Sequence, residues 1–460
     1  MSLPRTPSPR LALLSASLGF VIICLDVTVV NVALERIQLA LNTDVAGLQW
    51  VLNAYTLAFA SLLLSAGALG DRLGAKPVFI GGLALFTVAS LACGLAPGIG
   101  ALVAARLLQG VAAALCVPSS LALLNASFPE PRARVRAVSI WAGTASLAIG
   151  AGPIVGGLLV DRFGWASVFL VNLPIGLAGI GLAWVHAPGT PRGAGHGFDL
   201  RGQALAIAAL AALTFGFVES GPLGWGHPAV VAGFVGAAVA GAGFLRVERR
   251  QAHPMLPLSL FQIPVVGMSS LVGLSLNFGY YGLMFALSLF FQVVKGYPPL
   301  TAGLAFLPMT AVVVIANLAS GALTVRFGHK LPMVAGQALA ALGCFALAAI
   351  DADSRYVWTM VPLLAVGIGT ALVVPSINTA LLANVDRSQV GIAAGVQNTA
   401  RQIGGVIGVG VFGSLLGGEA GGMAQGLHVA VTLAGVGLAA SCAWVVFGMR
   451  ARAPCGACGP

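Results

Sequence analysis

Long apolar runs alternate with short polar breaks along almost the whole chain. The hydrocarbon core of a bilayer is about 30 Å thick, and a helix of about 20 apolar residues crosses it. The alternating ten-residue pattern of a membrane β-barrel is absent. The pattern predicts an all-α integral membrane protein with fourteen transmembrane helices, over residues 11–34, 48–70, 77–97, 99–124, 135–160, 165–188, 202–219, 228–246, 264–293, 300–323, 331–350, 357–383, 389–417 and 427–449.

Composition excludes a soluble class. Hydrophobic residues make up 58% of the chain and charged residues 8%, whereas soluble domains carry about 25% charged residues. The first apolar run is too long for a signal peptide and is followed by thirteen more, so we interpret it as the first membrane helix. The expected location is the inner (plasma) membrane, as a multi-pass protein.

The positions of the positively charged residues that give the net charge of +10 fit a membrane topology and do not indicate nucleic-acid binding. Most lysines and arginines fall in the N-terminus, alternate loops and the C-terminus, while the opposite loops hold only Arg36, Arg162, Lys295 and Arg355. This positive-inside asymmetry predicts that both termini are cytoplasmic and that the number of spans is even.

An internal repeat indicates how the helices are grouped. Helix two ends in SAGALGDRLGAKP and helix ten ends in SGALTVRFGHKLP. Parallel repeats with two helices inserted between them explain this recurrence. The predicted domains are a six-helix bundle over 1–188, two inserted helices with cytoplasmic linkers over 189–254, a second six-helix bundle over 255–449 and a cytoplasmic tail over 450–460.

Asp26 is the leading candidate for chemistry because it lies inside an apolar span. A carboxylate at that depth costs several kcal/mol unless it is paired, hydrated or protonated. Arg106 on helix four lies at a similar depth, roughly 12–13 Å below the outer surface at 1.5 Å per residue. The arginine favours the charged carboxylate and burial favours the neutral one, a balance suited to proton exchange. Two alternatives remain: a carboxylate that only holds helices together, and a fixed ion pair without a proton cycle.

The loop after helix two carries a second candidate group, with a predicted gating role: Gly67, Gly70, Asp71, Arg72, Gly74 and Lys76. The glycines permit close approach of helix ends. Asp71 is expected to face a neighbouring helix end or the basic cluster Arg132, Arg134 and Arg136, as a latch that opens when the bundles move. The alternative is a basic loop that only sets topology. The second copy has Val325 in place of the acid, so its charge switch is degraded.

Helix five contributes a third group, Gly150, Gly152, Pro153, Gly156 and Gly157. Gly152 and Gly156 form a small-xxx-small face, and Pro153 removes a backbone hydrogen bond and can kink the helix. The group is predicted to take part in conformational gating, although glycine is common in membrane helices generally.

These motifs resemble a known family. The loop string resembles G-x-x-x-D-R-x-G-x-K of the major facilitator superfamily, RLLQG resembles its R-x-x-Q-G, and GAGPIVGG resembles the helix-five signature of its antiporters. LDVTVVNVAL, QWVLNAYTLA, FLVNLPIG, QVVKGYPPLTAGLAFLP and TARQIGG look like the fourteen-span drug:proton antiporters of the quaternary-ammonium or multidrug-resistance type. Two departures are Glu35, where the family has proline, and GWAS, which lacks the second tryptophan of W-R-W.

The resemblance implies a proton-driven exporter of drugs or other amphiphiles that works by alternating access. Asp26 would carry the proton and Arg106 would tune it, while Tyr55, Gln397, Asn398 and Arg401 are candidate cavity groups. Four roles stay open for Arg401: contact with an anionic substrate group, stacking on an aromatic ring, reaching across to Asp26, or a water-lined structural position.

Other functional classes are less well supported. The chain has no HExxH, Walker A, nucleophile elbow or metal cluster, so we expect no enzyme activity, metal or other cofactor, and a proton gradient in place of ATP. Glu219 is expected to be a solvated helix end, and Cys455 and Cys458 a CxxC without partners. Expected partners are a small-molecule substrate, protons and membrane lipid, with the protein as a monomer. The alternatives are metabolite uptake or facilitated transport, and a non-transporting sensor or scaffold.

Overall fold

The protein is described by a computed structural model that covers residues 8–190, 199–251, 256–386, 389–416 and 420–448. Regular structure in these ranges is entirely helical, which confirms the predicted all-α class. The α-helices are α1 (Pro9–Leu41), α2 (Val45–Leu73), α3 (Ala75–Gly94), α4 (Ile99–Ser127), α5 (Pro131–Phe163), α6 (Ser167–Leu170), α7 (Asn172–His186), α8 (Leu200–Leu223), α9 (Pro228–Glu248), α10 (Pro264–Leu289), α11 (Pro299–Ala305), α12 (Leu307–Phe327), α13 (Lys330–Leu347), α14 (Tyr356–Asn384), α15 (Val390–Leu416) and α16 (Ala420–Gly448).

Thirteen spans in the described residues are long and apolar enough to cross a membrane, and a bent pair of helices raises the number to fourteen. The pair is α11 and α12, which meet at an angle of 45°. The sequence predicts one unbroken helix over 300–323, but the helix is interrupted at Phe306. The span over Ser167–His186 is one crossing, although Val171 separates α6 from α7, with helical dihedral angles at Val171 itself. An apolar run thus predicts the crossing but not a break within it.

Local sequence explains the turn between the first two helices. Asn42 ends α1 in the left-handed conformation, with φ of 47°, which asparagine tolerates better than most residues. Asp44 then caps α2, because its side chain accepts a hydrogen bond from the Gly47 N–H at 2.9 Å. The two polar residues therefore reverse the chain within three positions and set α2 beside α1.

The chain divides into two compact units. The first contains α1–α9 together with the segment 288–304, and the second contains the segment 256–287 and the chain from residue 305 onward. The core of the first unit is a hydrophobic cluster, mostly from α1–α4, that includes Ile22, Phe79 and Phe86, all fully buried. This core fixes the helices that carry the predicted proton site.

Helix α8, the first of the predicted inserted pair, is attached to α2 at both of its ends. At one end Gln203 Nε2 donates to the Ser61 carbonyl at 2.7 Å and Ser65 Oγ donates to Gln203 Oε1. At the other end Trp50 Nε1 donates to Glu219 Oε1 at 2.9 Å. Glu219, expected as a solvated helix end, is partly buried here, and its carboxylate accepts a hydrogen bond from the Trp50 indole.

Some predicted features lie outside the described residues. These are the tail over 450–460 with Cys455 and Cys458, most of the linker over 189–198, and the side chain of Val325.

Candidate functional site

Asp26 and Arg106 form an ion pair inside the first unit, as their matched depth predicts. Arg106 Nη1 donates to Asp26 Oδ2. The Asp26 side chain is fully buried and that of Arg106 is 1% exposed. Helix α4 approaches α2 closely here, because a Cβ on Gly110 would lie only 2.3 Å from the Tyr55 carbonyl oxygen. The glycine of the RLLQG string thus permits the packing that places Arg106.

Two amide side chains complete the surroundings of the carboxylate. Gln109 Nε2 lies 3.4 Å from Asp26 Oδ1, and Asn172 Nδ2 lies 3.2 Å from the same oxygen. Both amides also donate to Ser90 Oγ, at 2.7 and 3.4 Å. Helices α1, α3, α4 and α7 therefore meet at one fully buried polar cluster, formed by Asp26, Arg106, Gln109, Asn172 and Ser90, which is called the acid cluster below.

The guanidinium of Arg106 is held from its other sides as well. Its Nε donates to the Val51 carbonyl at 2.9 Å, and Nη1 donates to Gln109 Oε1 at 2.9 Å. The guanidinium carbon lies 4.4 Å from the ring centroid of Tyr55 and 5.8 Å from that of Phe169. Tyr55, predicted as a cavity group, is thus 1% exposed and covers the face of the arginine. Cation–π contact of this kind stabilises a desolvated guanidinium.

The acid cluster can accommodate both protonation states of Asp26. Three side chains donate to the carboxylate oxygens, and the carboxylate is completely buried. A protonated carboxyl group needs an acceptor nearby. Asn172 Oδ1 is buried and has no hydrogen-bond partner in the described structure, and an amide can turn its oxygen toward a new donor. The cluster therefore surrounds the Asp26 carboxylate with hydrogen-bond donors and with one buried amide oxygen that has no partner in the described residues.

The glycine face of helix five packs directly on the helix that carries Asp26. A Cβ on Gly152 would lie 1.8 Å from Thr28 Oγ1, and a Cβ on Gly156 would lie 2.9 Å from the Val29 carbonyl oxygen. Neither distance leaves room for a side chain. The small-xxx-small contact expected from the sequence is present, and its partner is α1.

The same helix uses other residues against the segment 288–304. A Cβ on Gly157 would lie 2.7 Å from the Pro299 carbonyl oxygen, and a Cβ on Gly303 would lie 2.2 Å from the carbonyl oxygen of Pro153. Helix α5 therefore has two close contacts, one with α1 and one with α11. Gly150 is partly buried in the same helix.

The loop signature after helix two acts partly as predicted. Gly74 has φ of 90°, a conformation that favours glycine, and ends α2. Lys76 Nζ then donates to the carbonyls of Trp184 and Ala187, at 2.9 and 2.8 Å. These carbonyls lie at the C-terminal end of α7, where helix carbonyls lack intrahelical donors and a positive charge is favourable.

Two expectations for this loop differ from the structure. A Cβ on Gly67 or Gly70 would make contacts of 4.0 and 3.4 Å, so close helix approach does not require these glycines. Asp71 is exposed, and among the described ion pairs none includes it. Arg134 of the basic cluster donates instead to the carbonyls of Phe128 and Pro129. The latch therefore stays a prediction for another conformation, as does the gating role of the neighbouring Arg72.

The second copy of the signature makes the same helix-end contact in the second unit. Gly328 has φ of 76° and ends α12. Lys330 Nζ donates to the Val446 carbonyl of α16 at 2.9 Å. The repeat seen in the sequence thus corresponds to a repeated structural device, although the copy lacks the acid.

The predicted cavity residues of the second unit lie on α15, which packs closely against α10. A Cβ on Gly404 would lie 2.1 Å from the Leu274 carbonyl oxygen, and a Cβ on Gly408 would lie 2.3 Å from that of Phe278. This four-residue glycine spacing matches that of Gly152 and Gly156, and sequence reasoning did not single it out.

Arg401 lies one turn before Gly404, and its Nε donates to Asn277 Oδ1 of α10 at 3.4 Å. Gln397, one turn earlier, is buried, and Asn398 is partly buried. The structure thus brings Arg401 and Gln397 together on one face of α15 and adds Asn277 to them.

A helical membrane protein with a buried acid–arginine pair and a duplicated loop signature is a transporter of the repeat-bundle kind. Residues 16–409 match the family described as the Major Facilitator Superfamily. The chain belongs to this superfamily, and it is a multi-pass protein of the inner membrane.

Its relatives include proteins named for drug resistance. It is 40% identical to a methylenomycin A resistance protein of Streptomyces coelicolor, over 86% of this chain and 84% of the relative. It is 37% identical to the multidrug resistance protein Stp of Mycobacterium tuberculosis, over 88% and 75%. It is 35% identical to a tetracenomycin C resistance and export protein of Streptomyces glaucescens, over 89% and 76%.

A solved structure shows the same fold. A bacterial homologue of the human lysosomal transporter Spinster, in an inward-facing and unoccupied conformation, aligns with a TM-score of 0.68. The alignment covers 97% of both chains at 18% sequence identity, so the likeness concerns the fold alone.

Proposed function

We propose that this protein is an efflux transporter that exports drugs or other amphiphilic small molecules by alternating access, in exchange for protons. The observation that carries the proposal is the fully buried Asp26–Arg106 pair within the acid cluster. The names of the relatives support export of antibiotics in particular, because methylenomycin A and tetracenomycin C appear in them.

Proton coupling follows from the chemistry of the acid cluster. Asp26 takes up a proton when its site opens to the outer side and loses it when the site opens inward. Arg106 forms an ion pair with the carboxylate, and movement of α4 relative to α1 would loosen that pair. A conformational change of the first unit is thereby linked to the charge of one side chain.

Gating in this proposal depends on close helix contacts. Helix α5 packs through its glycines on α1 and on α11, so a shift of α5 is transmitted to the helix that carries Asp26. Helices packed this closely change position by switching between discrete arrangements more than by deforming continuously. Gly152 and Gly156 are therefore proposed as gating residues for the proton step.

The proposal includes neither an enzymatic reaction nor a bound cofactor, since the proton carrier is a side chain and the proton gradient supplies the free energy. The protein acts as a monomer, with Gln397, Asn398 and Arg401 near the path of the substrate, whereas Tyr55 is buried against Arg106 and supports the acid cluster. Both termini lie in the cytoplasm, as the distribution of positive charge indicates.

The first test is a resistance and accumulation screen in cells that overexpress the protein, with and without a protonophore. Export predicts lower accumulation of at least one amphiphilic compound, restored to the level of control cells by the protonophore. Accumulation above the control level would indicate uptake instead. Unchanged accumulation of every compound, with the protein present in the membrane, would indicate a sensor or scaffold.

A further inference from the structure

A positive charge lies within the apolar span of α15 without a matching carboxylate. Arg401 is partly buried, and among the ion pairs of the described residues none includes it. An arginine inside a membrane span is costly unless another group compensates its charge. No carboxylate of the described residues therefore forms an ion pair with Arg401.

The amide groups around Arg401 are unused donors as well. Arg401 Nε donates to Asn277 Oδ1, which leaves Asn277 Nδ2 without an acceptor. Gln397 Nε2 also lacks a hydrogen-bond partner. Both amide side chains are buried, with 4% of Asn277 and 3% of Gln397 exposed. A buried donor without an acceptor destabilises the structure that holds it. Two such donors lie beside a guanidinium that has no carboxylate partner among the described residues. This arrangement indicates that an acceptor with a negative charge is missing.

Helix geometry brings these donors to one place. Gly273 and Asn277 are four residues apart on α10, and Gln397 and Arg401 are four residues apart on α15, so each pair lies on one helix face. A Cβ on Gly273 would lie 2.7 Å from Arg401 Cγ and 3.1 Å from Gln397 Nε2. The absence of a side chain at Gly273 thus allows the arginine stem and the glutamine amide to lie against α10.

We propose that Asn277, Gln397 and Arg401, called the donor cluster, bind a carboxylate group of the exported molecule. The inference rests on the proposed export function and specifies its substrate class as amphiphilic carboxylates. A carboxylate accepts paired hydrogen bonds from a guanidinium and still has lone pairs for two amide donors. It also supplies the negative charge that Arg401 lacks.

The same chemistry disfavours a cation at this position. A quaternary ammonium group has no lone pair for the amide donors and would lie beside a guanidinium of like charge, which is unfavourable in a partly buried site. An uncharged carboxamide can accept hydrogen bonds but does not compensate the charge. The donor cluster therefore predicts an order of affinity: carboxylate first, carboxamide second and ammonium last.

Three probes that share a pyrene group and a short alkyl chain test this order: 1-pyrenebutyrate, 1-pyrenebutanamide and 1-pyrenebutyl-trimethylammonium. Each probe is tritiated, and its binding to the purified full-length protein is measured in a scintillation proximity assay. The wild type is expected to bind the carboxylate at least about tenfold more tightly than the carboxamide, equivalent to about 1.4 kcal/mol. Equal affinity for the two, tighter binding of the ammonium probe, or binding of none of the three overturns the proposal.

Variants separate recognition from folding. Arg401→Gln should remove the preference for the carboxylate and leave binding of the carboxamide within about twofold, and Arg401→Lys should keep part of the preference because it keeps the charge. Asn277→Asp should also remove the preference, because it gives Arg401 a carboxylate of its own.

Arg355→Gln, at an exposed arginine before α14, is the matched control and should change nothing. A loss of carboxylate and carboxamide binding by the same factor in Arg401→Gln assigns the arginine a structural role and overturns the proposal.

Transport of the same probes in proteoliposomes distinguishes this inference from the proposed function. If a pH gradient drives export of any probe while the carboxylate preference is absent, the donor cluster is wrong and export stands. If the preference is present and Asp26→Asn transports like the wild type, the proton site is wrong and the donor cluster stands.

Discussion

Gly152 packs against Thr28 so closely that a methyl group on the glycine would lie 1.8 Å from Thr28 Oγ1. Thr28 follows Asp26 by two positions on α1, and its own hydroxyl donates to the Leu25 carbonyl at 3.1 Å. Helix α5 therefore sets the position of the helix segment that presents the carboxylate to Arg106.

Replacement of Gly152 by leucine tests this contact. The added side chain must displace α1, and overpacking of this kind costs about 1–3 kcal/mol. We expect Gly152→Leu to lower the thermal unfolding temperature and to reduce or uncouple pH-gradient-driven transport. Gly143→Leu is the matched control, because Gly143 lies on the same helix and a Cβ there meets nothing within 4 Å. Normal coupling in both variants would mean that these glycines only reflect membrane composition.

The two signature lysines are predicted to stabilise their units by capping helix ends. Lys76→Ala removes both hydrogen bonds of Nζ to the end of α7, and Lys330→Ala removes the hydrogen bond to the end of α16. Each change should lower the free energy of unfolding by about 1 kcal/mol, with little effect on substrate affinity. Thermal unfolding in detergent measures this effect. Arg246→Ala, which removes an exposed positive charge in the last turn of α9, serves as the control. A loss as large in that control would mean that net charge matters more than the helix-end contact.

Asp71 is predicted to act on the conformational equilibrium. Its carboxylate is exposed here and lies on the loop side of α2, away from the acid cluster. Asp71→Asn should therefore slow turnover severalfold while substrate affinity changes little. Val325→Asn should be nearly silent, because that copy already lacks the acid. Substrate binding in detergent and efflux in vesicles give the two readouts. An Asp71→Asn variant that loses binding and keeps its interconversion rate would place the carboxylate in a recognition surface.

The Trp50–Glu219 hydrogen bond is predicted to hold the first inserted helix against α2. Trp50→Phe and Glu219→Gln, alone and together, form a double-mutant cycle on the free energy of unfolding. We expect a coupling of about 1–2 kcal/mol, since the acceptor is a carboxylate and the pair is partly buried. Additive effects would mean that the hydrogen bond does not contribute to stability, and that the Glu219 carboxylate is a solvated helix end, as the sequence suggests.

The sequence predicts the ion pair of the acid cluster because depth in the membrane can be counted along a helix. It does not predict Ser90, Gln109 and Asn172 as partners, because whether a side chain faces the pair depends on the rotation of its helix. The motif FLVNLPIG contains Asn172, which donates to Asp26, and Phe169, which lies beside the Arg106 guanidinium. The motif therefore indicates the site, but not what each residue does there. The sequence does not predict the break at Phe306, because apolar residues continue on both sides of it.

Asp26 is the proton carrier in the proposed exchange, and its replacement by asparagine tests that role. Asparagine keeps an oxygen that can accept from Arg106, so insertion should survive. The guanidinium loses its counter-charge, however, which should cost about 3–5 kcal/mol of stability. The double variant with Asp26→Asn and Arg106→Gln removes both charges and controls for that loss. Asp26→Glu keeps the titrating group and should retain partial coupling.

The decisive measurement compares two reactions of Asp26→Asn in proteoliposomes, with the compound that shows the largest protonophore-sensitive efflux in the cellular screen. Exchange of labelled for unlabelled compound at equal pH needs no proton release and should persist. Accumulation driven by a pH gradient, with proton movement followed by an internal pH dye, should be absent. Gradient-driven accumulation at the wild-type rate in that variant would contradict the assignment of Asp26 as the proton carrier.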